Sequence, residues 1–185
     1  DKDNPDLKFY KPPEKEDMIN KNISKIFYYN YFKNWNPQEN FYYASENTGF
    51  IPNPERTEGT YSKYASLDDK MDGMHYYMRY IKFGLGRASY DAAQEIRSLD
   101  INRDEGVSLV KQYDHEFPER FKKEIFEYLS IDKNNFPTAS KMFEQPEMDD
   151  EYFKKLTNNF RSPHIWSYDE KKESNQAWQL RNLIK

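Results

Sequence analysis

An ionisable stripe between Leu67 and Phe83 is the part of the chain best suited to chemistry. Its members recur at alternating intervals of four and three residues and are Asp68, Asp72, His75, Arg79 and Lys82. A helix places residues with this spacing on one face. One residue out of phase lies an apolar stripe with the same spacing: Leu67, Met71, Met74, Met78 and Ile81. Since a helix turns by about 100° per residue, we expect the charged stripe to flank a buried face, where a cleft wall would lie.

Three carboxylates of this segment also fit a magnesium-binding pattern. Asp68, Asp69 and Asp72 form Asp-Asp-x-x-Asp, with which helical isoprenyl and terpene synthases bind magnesium diphosphates, since carboxylates are suitable hard ligands. The chain is short for such an enzyme and has no second acidic motif on a partner helix. The alternative is a solvated first helical turn favoured by the helix dipole, which explains Asp68 and Asp69 better than Asp72. We therefore predict no metal site.

The segment Lys82–Arg87 places two cations around Gly84 and Gly86. Glycines let backbone amides approach an anion, and the cations neutralise it, so a phosphate or pyrophosphate site is chemically sensible. A glycine that ends a helix is equally common. Both interpretations remain open from the pattern alone.

Two further motifs have simpler explanations. Asp100–Asp104 begins like a calcium loop, but its glycine comes one residue late and its twelfth position is Lys111. Asn102 followed by Glu105 instead predicts the start of a helix over 103–113. This helix and the next one, 118–129, resemble a DNA-binding helix-turn-helix, which the acidic balance of the chain disfavours.

The remaining pattern predicts a mainly helical chain with one strand. The aromatic run 24–35 is the strand candidate, although the chain offers it no partner strand. Asn36 and Pro37 predict a helix that ends at Gly49. Other predicted helices cover 67–83, 89–98, 133–144 and 149–159.

The composition predicts a folded protein that is rich in aromatic side chains. Hydrophobic residues make up only 36% of the chain, but 17% of the residues are aromatic, and disordered chains are poor in aromatics. A net charge of −4 argues against a nucleic-acid partner. The chain has no cysteine, no signal-peptide pattern and no apolar run near the ~20 residues of a membrane span. We therefore expect a cytoplasmic protein, and we expect its polar start without Met to be the cut edge of a longer one.

A long string of residues resembles the C-terminal half of the N-acetyl sugar amidotransferases. It covers most of the chain and is therefore more specific than any single motif. Its main segments are Trp35–Pro37, Gly49–Phe50, Gly59–Tyr61, Tyr64–Asp69, His75–Tyr77, Tyr80–Gly84, Gly86–Ala88, Glu95–Arg97, Tyr113–Asp114, Phe117–Pro118 and Arg161–His164, with Pro54, Arg56, Asp72, Asp91 and Trp166.

The resemblance implies a bacterial enzyme of O-antigen or flagellin-glycan biosynthesis. Such enzymes resemble ATP pyrophosphatases of the PP-loop type, and they are thought to convert a sugar N-acetamido group to an acetamidino group with ATP, magnesium and ammonia from a partner glutaminase. The resemblance implies a sugar or nucleotide-sugar substrate. The chain lacks the Ser-Gly-Gly-x-Asp-Ser loop of the family and a glutaminase cysteine, so we expect it to be inactive alone.

The resemblance also implies a domain division. We expect residues 1–57 to end an α/β nucleotide-binding domain that binds most of the ATP, with the strand near 24–35 completing a sheet outside this chain. Residues 58–185 would then form a helical C-terminal domain.

Site roles follow from residue chemistry within this resemblance. Lys82 and Arg87 are candidates for the ATP phosphates, and no catalytic residue is assigned. Substrate-contact candidates are Arg56, Tyr61, Asp68, Asp69, Asp72 and His75. The alternative for each is an internal ion pair, such as Asp72 with Arg79 or His75. A rival function is a non-catalytic interaction module that docks a partner through exposed aromatics at 28–43 and 166–178.

Overall fold

A computed structural model describes residues 11–21, 27–130, 147–172 and 177–181. The chain divides into two units, Asp1–Trp35 and Asn36–Lys185. In the described part of the first unit, α1 spans Lys15–Asn20 and a 3-10 helix spans Tyr29–Tyr31. The predicted domain boundary after residue 57 stays a prediction.

The aromatic run 24–35 differs from its predicted strand. Residues 27–35 contain the 3-10 helix and no strand, and residues 24–26 lie outside the described part. A strand needs a neighbour to satisfy its backbone groups, and the described residues of this unit supply none. The described residues contain two strands, and both lie near the C-terminus.

The second unit is mainly helical, which confirms the predicted class. In chain order its helices are α2 Pro37–Asn47, α3 Asp72–Phe83, α4 Arg87–Ser98, α5 Arg103–Tyr113, α6 Lys122–Leu129 and α7 Asp150–Phe160. Strands β1 (Trp166–Tyr168) and β2 (Trp178–Leu180) pair antiparallel, with Ser167 opposite Gln179. The predicted helix over 133–144 lies outside the described residues.

Several helix ends follow the side chains that the sequence supplies. Asn36 caps α2 through bonds from the amides of Gln38 and Glu39, and α5 begins with a complete capping box of Asn102 and Glu105. Gly84 ends α3 at φ 72°, a conformation that glycine adopts without strain. These predictions are confirmed.

Two helices start later than predicted. Helix α3 begins at Asp72 and not at Leu67, because the carboxylate of Asp69 accepts the Met71 amide at 2.7 Å and holds a turn there. Helix α6 begins at Lys122 and not at Pro118, because the carboxylate of Glu58 accepts the amides of residues 119 and 120.

The core lies where α3, α6 and α7 meet. Met74 is 2% exposed, and it packs in one cluster with Ile125, Phe126, Met148 and Phe153. Aromatic contacts extend this cluster; the rings of Phe117 and Phe153 meet edge to face with their centres 5.8 Å apart. The predicted apolar stripe is thus buried at Met74 and Ile81, whereas Leu67, which precedes the helix, is exposed.

Candidate functional site

A hydrogen-bonded network surrounds Arg87 at the start of α4. The Arg87 guanidinium donates from Nε to Asp91 Oδ1 at 3.0 Å and from Nη1 to Ser66 Oγ at 3.0 Å. Ser66 in turn donates to Asp72, whose carboxylate lies 3.8 Å from Arg87. Thr60 donates to the other oxygen of Asp91 at 2.6 Å. We call these five residues the Arg87 network.

The Arg87 network is largely enclosed. The side chains of Arg87 and Asp91 are 15% and 12% exposed, and the guanidinium lies over the rings of Tyr76 and Tyr90 at 4.7 and 5.6 Å. Burial raises the pKa of Asp91, and the Arg87 charge and the Thr60 hydroxyl oppose this rise. The network therefore holds a buried carboxylate that depends on its cation.

The glycine turn before α4 already contains an anion. Asp114, which is 5% exposed, accepts the Gly86 amide at 2.8 Å and the Ser89 amide at 2.9 Å. A Cβ at Gly86 would lie 2.7 Å from the Asp114 carbonyl oxygen, so only glycine fits there. The amides of the turn thus bind a carboxylate of the chain itself, and the phosphate site expected at this turn stays a prediction.

A second paired cation, Arg56, lies in the loop 53–60 and is partly exposed. Arg56 donates through both Nη atoms to Glu116, one bond being 2.6 Å long, and also to the carbonyl of Thr60 at 3.1 Å. Glu116 further accepts the Gly59 amide at 2.7 Å. These bonds lower the pKa of Glu116, with the Arg56 hydrogen bond as the largest cause. Arg56 thereby fixes the loop that carries Thr60 and Tyr61.

Tyr61 faces a separate aromatic cavity. Its hydroxyl donates to Glu95 at 2.9 Å, and burial raises the pKa of both groups. The cavity has a volume of about 710 Å³ and also contacts Phe41 and Tyr64. The rings of these two residues stack 4.5 Å apart, and burial raises the pKa of Tyr64 to about 12.

Asp68 and Asp69 line a smaller cavity next to the Arg87 network. Its volume is about 320 Å³, and Ser66 belongs to both the cavity and the network. Both aspartates are exposed. The ring of Phe121 also lines the cavity and supplies an apolar surface. We call this space the acidic cavity, and it suits a small polar ligand that has an apolar face.

The structure brings some predicted site residues together and leaves others apart. Arg87 and Asp72 join in one network, next to Asp68 and Asp69. Asp72 bonds Ser66 and Arg87, so its suggested pairing with Arg79 or His75 is wrong. His75 is exposed and meets the ring of Tyr76 edge-on.

Lys82 stands outside this network. Its amino group is exposed and lies 5.2 Å from the ring of Phe83. Among the described residues no hydrogen bond or ion pair joins Lys82 to the network around Arg87.

Four acidic residues of the site were not predicted: Asp91, Glu95, Asp114 and Glu116. One signal was available, because Arg87, Asp91 and Glu95 follow at intervals of four on one helix face. The partnership of Arg56 with Glu116 spans 60 residues and has no local signal.

The described residues contain neither a metal cluster nor a membrane-crossing helix. No group of three or more His, Asp or Glu side chains in this part is placed to hold a metal ion, and Asp68, Asp69 and Asp72 form no such group. None of the helices described is long and apolar enough to cross a membrane.

The fold and its cavities define a helical domain with polar, ligand-sized sites. Residues 58–184 match the family described as "LPS biosynthesis protein WbpG-like, C-terminal domain". Because the match spans most of the chain, this chain belongs to that family, and its role lies in the biosynthesis of a surface glycan. No curated protein sequence matches the chain.

Proposed function

We propose that this chain is the sugar-binding part of an ATP-dependent amidotransferase that acts in LPS O-antigen or flagellin-glycan biosynthesis. The observation that carries the proposal is the acidic cavity beside the Arg87 network, within a chain of an LPS-biosynthesis family. Asp68 and Asp69 accept hydrogen bonds from sugar hydroxyls, and the Phe121 ring covers the apolar face of the sugar.

The proposed reaction converts an N-acetamido group to an acetamidino group. The amide oxygen attacks the α-phosphorus of ATP, and pyrophosphate leaves. Ammonia from a partner glutaminase then adds to the activated carbon and loses a proton, and AMP departs with the former amide oxygen. ATP is needed because the oxygen of an amide is otherwise a poor leaving group.

The residues of this chain have separate tasks in the proposal. ATP and its magnesium are bound mainly by a nucleotide-binding domain that precedes these residues. Lys82 reaches the phosphates, because its amino group is exposed and has no carboxylate partner among the described residues. The Gly86 amide is already bound by the Asp114 carboxylate. Arg87 therefore acts on the ATP phosphates through the charge of its guanidinium, from its place in the Arg87 network. Asp68 and Asp69 also attract the basic amidine product.

The test is sugar-dependent release of pyrophosphate by the full-length protein. Asp68→Asn removes a cavity carboxylate and keeps its size, and we expect at least a tenfold fall in kcat/KM for the sugar, about 1.4 kcal/mol. Glu127→Gln is the matched control, because Glu127 is exposed on α6 and does not line the cavity. Equal rates in both variants would contradict the proposal and favour the helical interaction module.

The rival function, a non-catalytic interaction module, depends on exposed aromatic side chains, and one of the expected side chains is buried. Aromatics at 27–32 are exposed, including Tyr31 at 85%. Trp166 in the C-terminal part is 3% exposed, so the expectation of an exposed aromatic surface there is wrong at this residue. Its indole Nε1 donates to the Ile81 carbonyl at 2.7 Å, which satisfies the buried N–H group.

A further inference from the structure

Arg161 is a partly buried cation that has no anionic partner in the part of the chain that the structure describes. It follows directly after α7, and its guanidinium carbon lies 4.2 Å from the ring centre of Trp166 and 5.4 Å from that of Trp178. Its Nε and Nη1 atoms are buried and have no hydrogen-bond partner. No carboxylate among the described residues pairs with it, and burial lowers the pKa of its guanidinium.

This arrangement is costly for an isolated protein. A buried guanidinium loses hydration, and each unpaired N–H group destabilises the folded state when no acceptor replaces water. The contact of the guanidinium with the Trp166 ring offsets only part of this loss. Because the Arg161 guanidinium has buried donors without acceptors, an oxyanion that reaches it would gain both hydrogen bonds and charge neutralisation.

The surroundings of Arg161 form a cleft with room for a ligand. Its volume is about 650 Å³, within the usual range for small-molecule sites, and the rings of Tyr77, Tyr80, Trp166 and Trp178 line it. Trp166 is fixed by its bond to the Ile81 carbonyl and by the edge of Tyr80 at 5.2 Å. The Trp166 ring is therefore held in place before a ligand binds.

Two lysines also line the cleft, and both differ from Arg161. Lys122 also lines the cleft, but Asp150 pairs with it and Glu119 lies 3.9 Å away. Lys154 is exposed at the edge. An anion entering the cleft thus finds one guanidinium that no carboxylate of the described residues neutralises.

We propose that this cleft binds a sugar-bearing oxyanion, either a carboxylate or a phosphate, with Arg161 on the anion and the aromatic rings against the sugar. The choice of a sugar rests on the proposed function, whereas the oxyanion rests only on Arg161 and its surroundings. The cleft is distinct from the acidic cavity, which Asp68 and Asp69 line.

Tryptophan fluorescence of the 185-residue chain tests the proposal without ATP or ammonia. The chain has three tryptophans, and Trp35→Phe leaves only the two that line the cleft. The probes are glucuronic acid, UDP and neutral N-acetylglucosamine. We expect a saturable change with at least one anionic probe, at a concentration at least tenfold below any effect of the neutral sugar.

The two anionic probes identify the source of the oxyanion. A response to glucuronic acid alone assigns a carboxylate, and a response to UDP alone assigns a phosphate. A failure of both, or equal responses to anionic and neutral probes, would overturn the proposal. This comparison needs no variant at Arg161. Because no catalysis is measured, a failure here is distinct from a failure of the amidotransferase proposal.

Variants locate the binding at Arg161. Arg161→Gln should weaken the responding probe at least tenfold and leave the unfolding temperature unchanged or higher, because a cation without a partner is removed. The matched control, Arg97→Gln, changes an exposed arginine of α4 and should leave binding unchanged. Unchanged binding in Arg161→Gln would overturn the assignment, whether or not its stability falls.

Discussion

The Arg87 network gives the sharpest prediction of stability. Arg87→Ala removes the 3.0 Å bond to Asp91 and leaves that carboxylate, 12% exposed, with Thr60 as its remaining side-chain donor. Breaking a buried ion pair from one side costs about 3–5 kcal/mol. The Thr60 bond survives, so we expect the lower end, about 3 kcal/mol. For a chain of this size this corresponds to a fall of roughly 6–12 °C in Tm.

The loss should depend on pH in a defined direction. Burial already raises the pKa of Asp91, and removal of Arg87 raises it further. In the variant, the folded state then binds a proton more readily than the unfolded state, so stability falls as the pH rises through this range. The difference between parent and variant should therefore be largest near pH 7. It should shrink toward pH 4, by at most about 1.4 kcal/mol per pH unit.

Urea unfolding of the 185-residue chain at several pH values measures both effects. Adding Asp91→Asn to Arg87→Ala removes the stranded charge and should recover part of the loss, giving a coupling energy between the two sites. Arg97→Ala, on the exposed face of the same helix, is the control and should cost below about 1 kcal/mol. A loss below about 1 kcal/mol in Arg87→Ala, with no dependence on pH, would refute the reasoning.

Two further predictions concern the neighbours of the network. Gly86→Ala brings a methyl group to 2.7 Å from the Asp114 carbonyl oxygen and should cost about 1–3 kcal/mol in thermal unfolding, whereas Gly49→Asn, with nothing within 4 Å, should cost much less. Glu116→Gln should remove about 1 kcal/mol of stability at pH 7. Because Arg56 lowers the pKa of Glu116, this contribution is lost on acidification, and the urea-unfolding free energies of parent and variant should converge below about pH 4; parallel curves would contradict this.

The sequence predicts those parts of the fold that depend on local chemistry. The Asn102–Glu105 capping box and the end of α3 at Gly84 follow from residues within one turn of each helix. The late starts of α3 and α6 depend on tertiary contacts or on competing turns. The carboxylate of Glu58, for example, reaches amides more than 60 residues away. Local pattern therefore identifies the helices better than it places their first residues.

The same distinction applies to the sites. The charges of the helix stripe and of the glycine turn were visible in the sequence, but their partners were not. Asp114 and Glu116 lie between two helices, and only the fold brings them to the Gly86 amide and to Arg56. Arg161 has no charged neighbour in sequence, and its isolation appears only in three dimensions. A sequence pattern indicates which charged groups could bind a ligand, whereas tertiary packing determines which of them already have a partner within the protein.

The carboxylate that fills the glycine turn joins two helices. Asp114 is tethered to the same chain, so it holds the Gly86 amide at a high effective concentration against any free anion. It is the residue that ends α5, and it also accepts the Ser89 amide in the first turn of α4. One buried side chain therefore satisfies donors at the start of α4 from the end of α5, and the group that keeps the turn filled is also the group that fastens these two helices together.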